Sequence, residues 1–203
     1  MMKTGLYFGS FNPIHIGHLA IANFVVEFTP LDNIWFVVSP HNPLKKKENL
    51  LSGHDRLKMV EIAVGDDNFR LRPSDIEMQL PVPSYTIDTI SYLKERFNET
   101  EFSLIMGEDN LYTLHKWKNA EALVKSCEIY VYPRPGTIRP PLKDLDEIIK
   151  KARITIVNSP LMDISGTFIR KALAEGKDIR HFLPPGVYEY LIKNNFYPPE
   201  IRR

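Results

Sequence analysis

The stretch that most constrains this chain is Gly9-Ser10-Phe11-Asn12-Pro13-Ile14-His15-Ile16-Gly17-His18. It follows the apolar run Leu6-Tyr7-Phe8 and precedes Leu19-Ala20-Ile21-Ala22-Asn23-Phe24-Val25-Val26. The short run reads as a buried strand and the longer one as a buried helix of about three turns. The stretch is therefore a strand-to-helix turn near the start of an α/β chain. Such a turn sits at the carboxyl end of a strand, where open parallel sheets take their ligands. Gly9 permits a sharp turn or a close ligand, and Pro13 stiffens the loop. His15 and His18 share one face of the helix start. Unpaired N–H groups and the positive end of the helix dipole favour an anion there, phosphate above all. A histidine pair at this spacing also occurs as metal ligands or on a plain surface. Zinc needs at least a third ligand, and no cluster of suitable spacing accompanies the pair.

The rest of the chain repeats the strand–helix plan. Asn33 to Ser39 reads as a second parallel strand, ending in the polar loop Pro40-His41-Asn42-Pro43-Leu44-Lys45-Lys46-Lys47. Lys46 and Lys47 read as solvated surface; Lys45 either joins them or reaches a phosphate as a mobile charge. Ser52 caps an amphipathic helix to Val64, with Arg56 among its polar residues. A short strand is expected over Phe69-Arg70-Leu71-Arg72, then an irregular segment from Pro73 to Pro83, then a helix capped by Ser84 or Thr86. Phe102 to Met106 is a strand ending at Gly107-Glu108-Asp109-Asn110, which is either an ordinary turn or a backbone approached by a ligand. Trp117 stands among His115, Lys116 and Lys118, as a stacking platform or a half-buried packing residue. A helix over 120–125, a strand over 128–132 closed by Pro133-Arg134-Pro135-Gly136, a helix over 144–151 and a strand over 154–157 complete a doubly wound parallel sheet. Ile164-Ser165-Gly166-Thr167-Phe168-Ile169-Arg170 opens a further helix, capped by Ser165 and ended by Gly176, with Arg170 one turn in. A closing helix starts at Pro184-Pro185.

The 203 residues suit one compact domain, helical from about residue 163 on. A net charge of +1 gives no global field for nucleic acid. The lone Cys127, next to a strand, reads as a core residue and suits a reducing cytoplasm. No run of ~18 apolar residues offers a membrane span. Nothing resembling a Ser-His-Asp or Cys-His set is present. If the attacking group is itself a phosphate, none is needed, and catalysis is positioning plus charge stabilisation.

The first stretch resembles the G-x-F-[DN]-P-x-H-x-G-H signature of the nucleotidyltransferase superfamily, which implies a Rossmann-like fold. Ile164 to Arg170 resembles its I-S-[ST]-T-x-[IV]-R motif, with Gly166 where a hydroxyl is usual. Pro83 to Thr89, Gly107 with Asp109 and Trp117, and Arg134 to Gly136 narrow the resemblance to nicotinate-nucleotide adenylyltransferases of the bacterial type, over nearly the whole chain. That resemblance implies adenylyl transfer from ATP to nicotinate mononucleotide, giving deamido-NAD and pyrophosphate, with Mg²⁺ carried mainly by ATP phosphates. It implies His15, His18 and Arg170 as catalytic residues. It implies ATP binding by these three and Gly9, Ser10, Phe11, Gly107, Asp109, Ile164, Ser165 and Thr167. It implies mononucleotide binding by Lys45, Tyr85, Thr86, Trp117, Lys118 and Arg134. Phosphopantetheine adenylyltransferases share the phosphate motifs but are usually shorter and lack the Tyr-Thr and Trp features. Class I tRNA synthetases share the histidine motif but need a tRNA-binding module. A non-catalytic nucleotide sensor is the reading from another class.

Overall fold

The computed structural model describes residues 1–40, 50–66, 69–138 and 147–199. The strands are β1 (Met2–Gly9), β2 (Asn33–Val38), β3 (Leu71–Ser74), β4 (Thr100–Gly107), β5 (Ile129–Tyr132) and β6 (Ile154–Ile156). The helices are α1 (Ile16–Phe28), α2 (Gly53–Val64), α3 (Thr86–Arg96), α4 (Glu108–Leu111), α5 (Ala120–Ser126), α6 (Glu147–Lys151), α7 (Gly166–Ala174) and α8 (Pro185–Lys193). The strands form one sheet in the order β3-β2-β1-β4-β5-β6, every pairing parallel. The doubly wound α/β architecture expected from the alternation is thus present.

Side chains alternate across the sheet, as a pleated strand requires. Leu6, Val37, Leu104, Met106 and Val131 pack with α3 and α5 on one face. Tyr7, Phe36, Val38, Ile105 and Tyr132 pack with α1, α2, α7 and α8 on the other. Both faces are covered, which is why the strands read as continuous apolar runs. Cys127 is buried in the first of these layers. Among the described residues no helix is long and apolar enough to cross a membrane.

Several boundaries differ from expectation. β3 begins at Leu71 and runs through Pro73 to Ser74, so Pro73 does not open the irregular segment. β3 is the edge of the sheet, where a residue without an N–H is tolerated. Neither Ser84 nor Thr86 caps α3. Tyr85 is the N-cap, and its carbonyl takes the Asp88 and Thr89 N–H groups without a side-chain bond. Of the helix expected over 144–151, Glu147–Lys151 is α6, and 144–146 lie outside the described residues. Ser52 and Ser165 do cap: their hydroxyl oxygens accept from the N–H of Asp55 (3.0 Å) and Phe168 (3.2 Å).

The sheet order fixes where a ligand can go. From β1 the chain winds outward through β2 to β3, then returns past β1 to β4 and winds the other way. The crevice outside the carboxyl ends of β1 and β4 is the switch point of such a fold.

Candidate active site

The loop after β1 is built differently from the sequence expectation. The residue that turns the chain is Phe11, at φ 44°, and not Gly9. A Cβ on Gly9 would lie 2.8 Å from the Phe11 ring, so the glycine's role is to admit that ring into the core. Phe11 is 1% exposed and packs edge-on against Tyr7, His18 and Phe36. Its side chain is closed to any ligand; only its backbone faces the loop. His15 is the N-cap of α1, and its ring stacks on that of His18 at 3.7 Å between centroids. The His15 N–H donates to His18 Nδ1 (3.3 Å). With Nδ1 an acceptor, the neutral His18 ring carries its proton on Nε2. Its orientation is held by the edges of Tyr7 and Phe11.

His15 itself is 4% exposed, and burial, reinforced by the charge of Arg134, lowers its pKa from 6.5 to about 4. At neutral pH it is an uncharged imidazole, not a cation. Unfolded, it takes up a proton as the pH falls below 6.5; folded, it does so only near 4. Its contribution to stability is therefore complete above pH 6.5 and lost on acidification toward 4. Relative to His15→Asn, the wild type should lose about 3 kcal/mol across that window. Urea midpoints of both proteins at pH 4 to 7 check this; parallel curves would show that His15 titrates normally.

The second motif closes over the first. Arg170 on α7 donates through Nη1 to the carbonyl of Asn12 (2.7 Å) and through Nη2 to Thr167 Oγ1 (3.3 Å). That bond brings the starts of α1 and α7 to one place. The glycine at position 166 has a structural reason: a Cβ there would lie 2.9 Å from the Asn12 carbonyl oxygen and 3.2 Å from Arg170 Nη1. Close approach replaces the usual hydroxyl. On α1, a Cβ at Gly17 would press on the His15 ring, at 3.1 Å from Nδ1.

Beside this cluster lies a cavity of about 420 Å³ at the switch point, lined among others by Gly9, Ser10, Tyr85, Thr86, Gly107, Asp109, Trp117, Lys118 and Arg134. His15, His18, Ser165, Thr167 and Arg170 are not in its lining. Tyr7 connects the two: it lines the cavity, and its ring lies 6.2 Å from that of His18. The Tyr7 hydroxyl donates to Tyr132 (3.1 Å). Arg134 pairs with Asp109 at 3.3 Å, and a Cβ on Gly107 would drive that pair apart. Both partners are about half exposed, so the pair is worth roughly 0–1 kcal/mol and opens easily to an incoming charge. Trp117 is half-buried, packed on the α3–α5 layer while also lining the cavity. Lys118 Nζ lies 2.9 Å from Asp88 Oδ2 and 4.5 Å from the centre of the Tyr85 ring. Glycine and acidic residue at 107–109 open α4, so this is a helix start and not a plain turn. Lys45 lies outside the described residues.

The family model described as Cytidylyltransferase-like matches residues 6–172. A protein of Flavobacterium johnsoniae named "Probable nicotinate-nucleotide adenylyltransferase" is 53% identical over 200 residues, covering 97% of this chain and 99% of its own. One of the same name from Flavobacterium psychrophilum is 51% identical over 197 residues, covering 97% and 99%. The chain belongs to the nicotinate-nucleotide adenylyltransferase family. Its fold is also that of the Plasmodium falciparum nicotinic acid mononucleotide adenylyltransferase complexed with NaAD, at a TM-score of 0.80 over the whole of both chains and 23% identity.

Three residues at this site were not legible as functional. Asn12 Oδ1 accepts from the Leu51 N–H (3.2 Å) and from the Tyr197 hydroxyl (2.6 Å), while its carbonyl takes Arg170. Tyr197 carries the C-terminal segment back onto the first loop. Arg56, expected on the polar face of α2, is 1% exposed and points into the sheet end. The only sequence signal for Asn12 was its place inside the signature; Tyr197 and Arg56 gave none.

Proposed function

We propose that this adenylyltransferase joins ATP to nicotinate mononucleotide at the β1–β4 switch point, with the triphosphate on the starts of α1 and α7 and the mononucleotide in the adjoining cavity. The observation that carries this reading is the Arg170–Asn12 bond, which brings both helix starts to one place. An oxygen of the mononucleotide phosphate attacks the α-phosphorus of ATP. The new P–O bond forms as the bond to the bridging oxygen breaks, and pyrophosphate leaves with that electron pair. The nucleophile is already ionised at neutral pH, so no protein base is required. His18 Nε2–H, the N–H groups of both helix starts, the Ser165 and Thr167 hydroxyls and Arg170 stabilise charge on the phosphates. His15 orients His18 through its N–H and is drawn toward protonation when polyphosphate binds beside it.

These donors suit phosphate oxygens. Mg²⁺ carried chiefly by ATP oxygens and water would add further neutralisation of charge there. Asp109 and Gly107 offer the ATP nucleoside a carboxylate and an open backbone; Arg134, released from Asp109, serves the mononucleotide, as would Lys45. We further propose that the chain works as one unit, in the cytoplasm, with the helices beyond residue 163 closing the site.

Trp117 is read as the platform for the pyridine ring, with the N–H groups at the start of α3, beside Tyr85, Thr86 and Lys118, taking its carboxylate. An anion gains from the helix dipole there, while a neutral amide brings a donor to a donor-rich place. A difference of ~1.4 kcal/mol already gives tenfold discrimination. The test is pyrophosphate release with ATP and the two mononucleotides side by side. Nicotinate mononucleotide should show at least about tenfold higher kcat/KM; equal efficiency would sink the carboxylate argument. Trp117→Ala should raise the mononucleotide KM about tenfold with either substrate. An unchanged KM would return Trp117 to packing alone.

A further inference from the structure

We infer that Arg56 is a positioning residue of the reaction, a clamp that sets the loop after β1 against the end of β2. The inference rests on the reading of the cavity just given. Buried guanidinium groups are normally paired with carboxylates, because an unpaired charge is costly to remove from water. Arg56 has no carboxylate partner among the described residues. Its partners are main-chain carbonyls from three separate segments. Nη1 donates both to Ser10 (2.8 Å) and to Ser39 (2.6 Å), Nη2 to Pro40 (3.0 Å) and Nε to Leu51 (3.0 Å).

The shape of the group decides the role. A planar fork with five N–H donors can span carbonyls that arrive from different directions; a lysine ammonium is a compact point on a flexible stem and cannot. Four of its five donors are committed to main chain, and Arg56 is buried outside the cavity lining. It acts through Ser10 and Ser39, which both line the cavity. Ser10 belongs to the loop read as the ATP side, and Ser39 follows the end of β2, the strand beside β1. A second tie, from the Ser39 N–H to the Gly9 carbonyl (3.0 Å), joins the same two segments. Arg56 therefore fixes the loop after β1 against the end of β2, where both meet the cavity. A misplacement of about 1 Å between reacting groups costs on the order of 10²-fold in rate.

The experiment compares Arg56→Lys and Arg56→Met with wild type. In pyrophosphate release, Arg56→Lys should fold cooperatively, lose on the order of 10²-fold in kcat, and keep the KM of each substrate within about threefold. Arg56→Met should be no better, since charge alone is not the function. The activity-independent readout is hydrogen exchange at the Ser39 amide, which donates to the Gly9 carbonyl and should exchange at least about tenfold faster in Arg56→Lys. A folded Arg56→Lys with kcat within about threefold of wild type, or with its loss confined to the KM of one substrate, overturns the inference. So does unchanged exchange at the Ser39 amide, or loss of cooperative unfolding in both variants, which would make Arg56 a folding determinant only. Inactive wild type in the same assay counts against the proposed reaction, and exchange alone then decides the role of Arg56.

Discussion

His18→Ala is expected to lower kcat by about 10²–10³-fold, the usual cost of one preorganised donor to a developing negative charge. The ring is preorganised on every side. Its Nδ1 is held by the His15 N–H, one face lies on the His15 ring, and the rings of Tyr7 and Phe11 meet it edge-on. It therefore needs no reorganisation as charge develops on the phosphates. The fold should survive the change, because the apolar layer beneath is carried by Phe11, Ile14 and Ile21 and not by His18. His18→Gln, which retains an N–H donor, should recover part of the rate. Steady-state kinetics with thermal unfolding checks both halves; a near-normal kcat in a folded His18→Ala removes this residue from the mechanism.

Arg170→Ala should be comparably damaging, at about 10²-fold in kcat/KM for ATP, with the mononucleotide KM little changed. Two losses coincide. A permanently charged fork disappears from the start of α7, and the Asn12 carbonyl loses the donor that ties the two motifs together. Arg170→Lys keeps the charge without the fork and should fall between. If the mononucleotide KM alone moved, the assignment of α7 to the triphosphate would be wrong.

How much of this was legible depends on what each residue does. The strands announced themselves because a sheet covered on both faces must be apolar on both, and Val37, Leu104 and Val131 sit in such runs. The N-caps at Ser52 and Ser165 were legible because a hydroxyl three residues ahead of a free N–H is a local arrangement. Arg56 was not. In sequence it is one polar residue among His54, Asp55 and Lys58, and its inward direction follows from carbonyls of Ser10 and Ser39, which no local pattern encodes. Gly9 and Phe11 misled in a related way. Glycine is the natural choice for the left-handed region, yet here a phenylalanine takes φ 44° because its ring is needed beneath the loop. Gly166 reads in the sequence as a missing hydroxyl, whereas in the fold the Asn12 carbonyl lies where a side chain would begin.

The bonds at Asn12 also bear on how the enzyme is made. Its partners Arg170 and Tyr197 lie 158 and 185 residues further along the chain. β1, likewise, must wait for β4 to lie against it. The segment that names the family is thus synthesised long before α7 and Tyr197, and acquires its shape only after them. A nascent chain halted before α7 carries both histidines but lacks what holds the loop around them. Contacts this distant in sequence also make for slow folding. Ribosome-bound chains of increasing length should therefore gain no protection from ATP against proteolysis until α7 and Tyr197 have emerged, and then gain it abruptly.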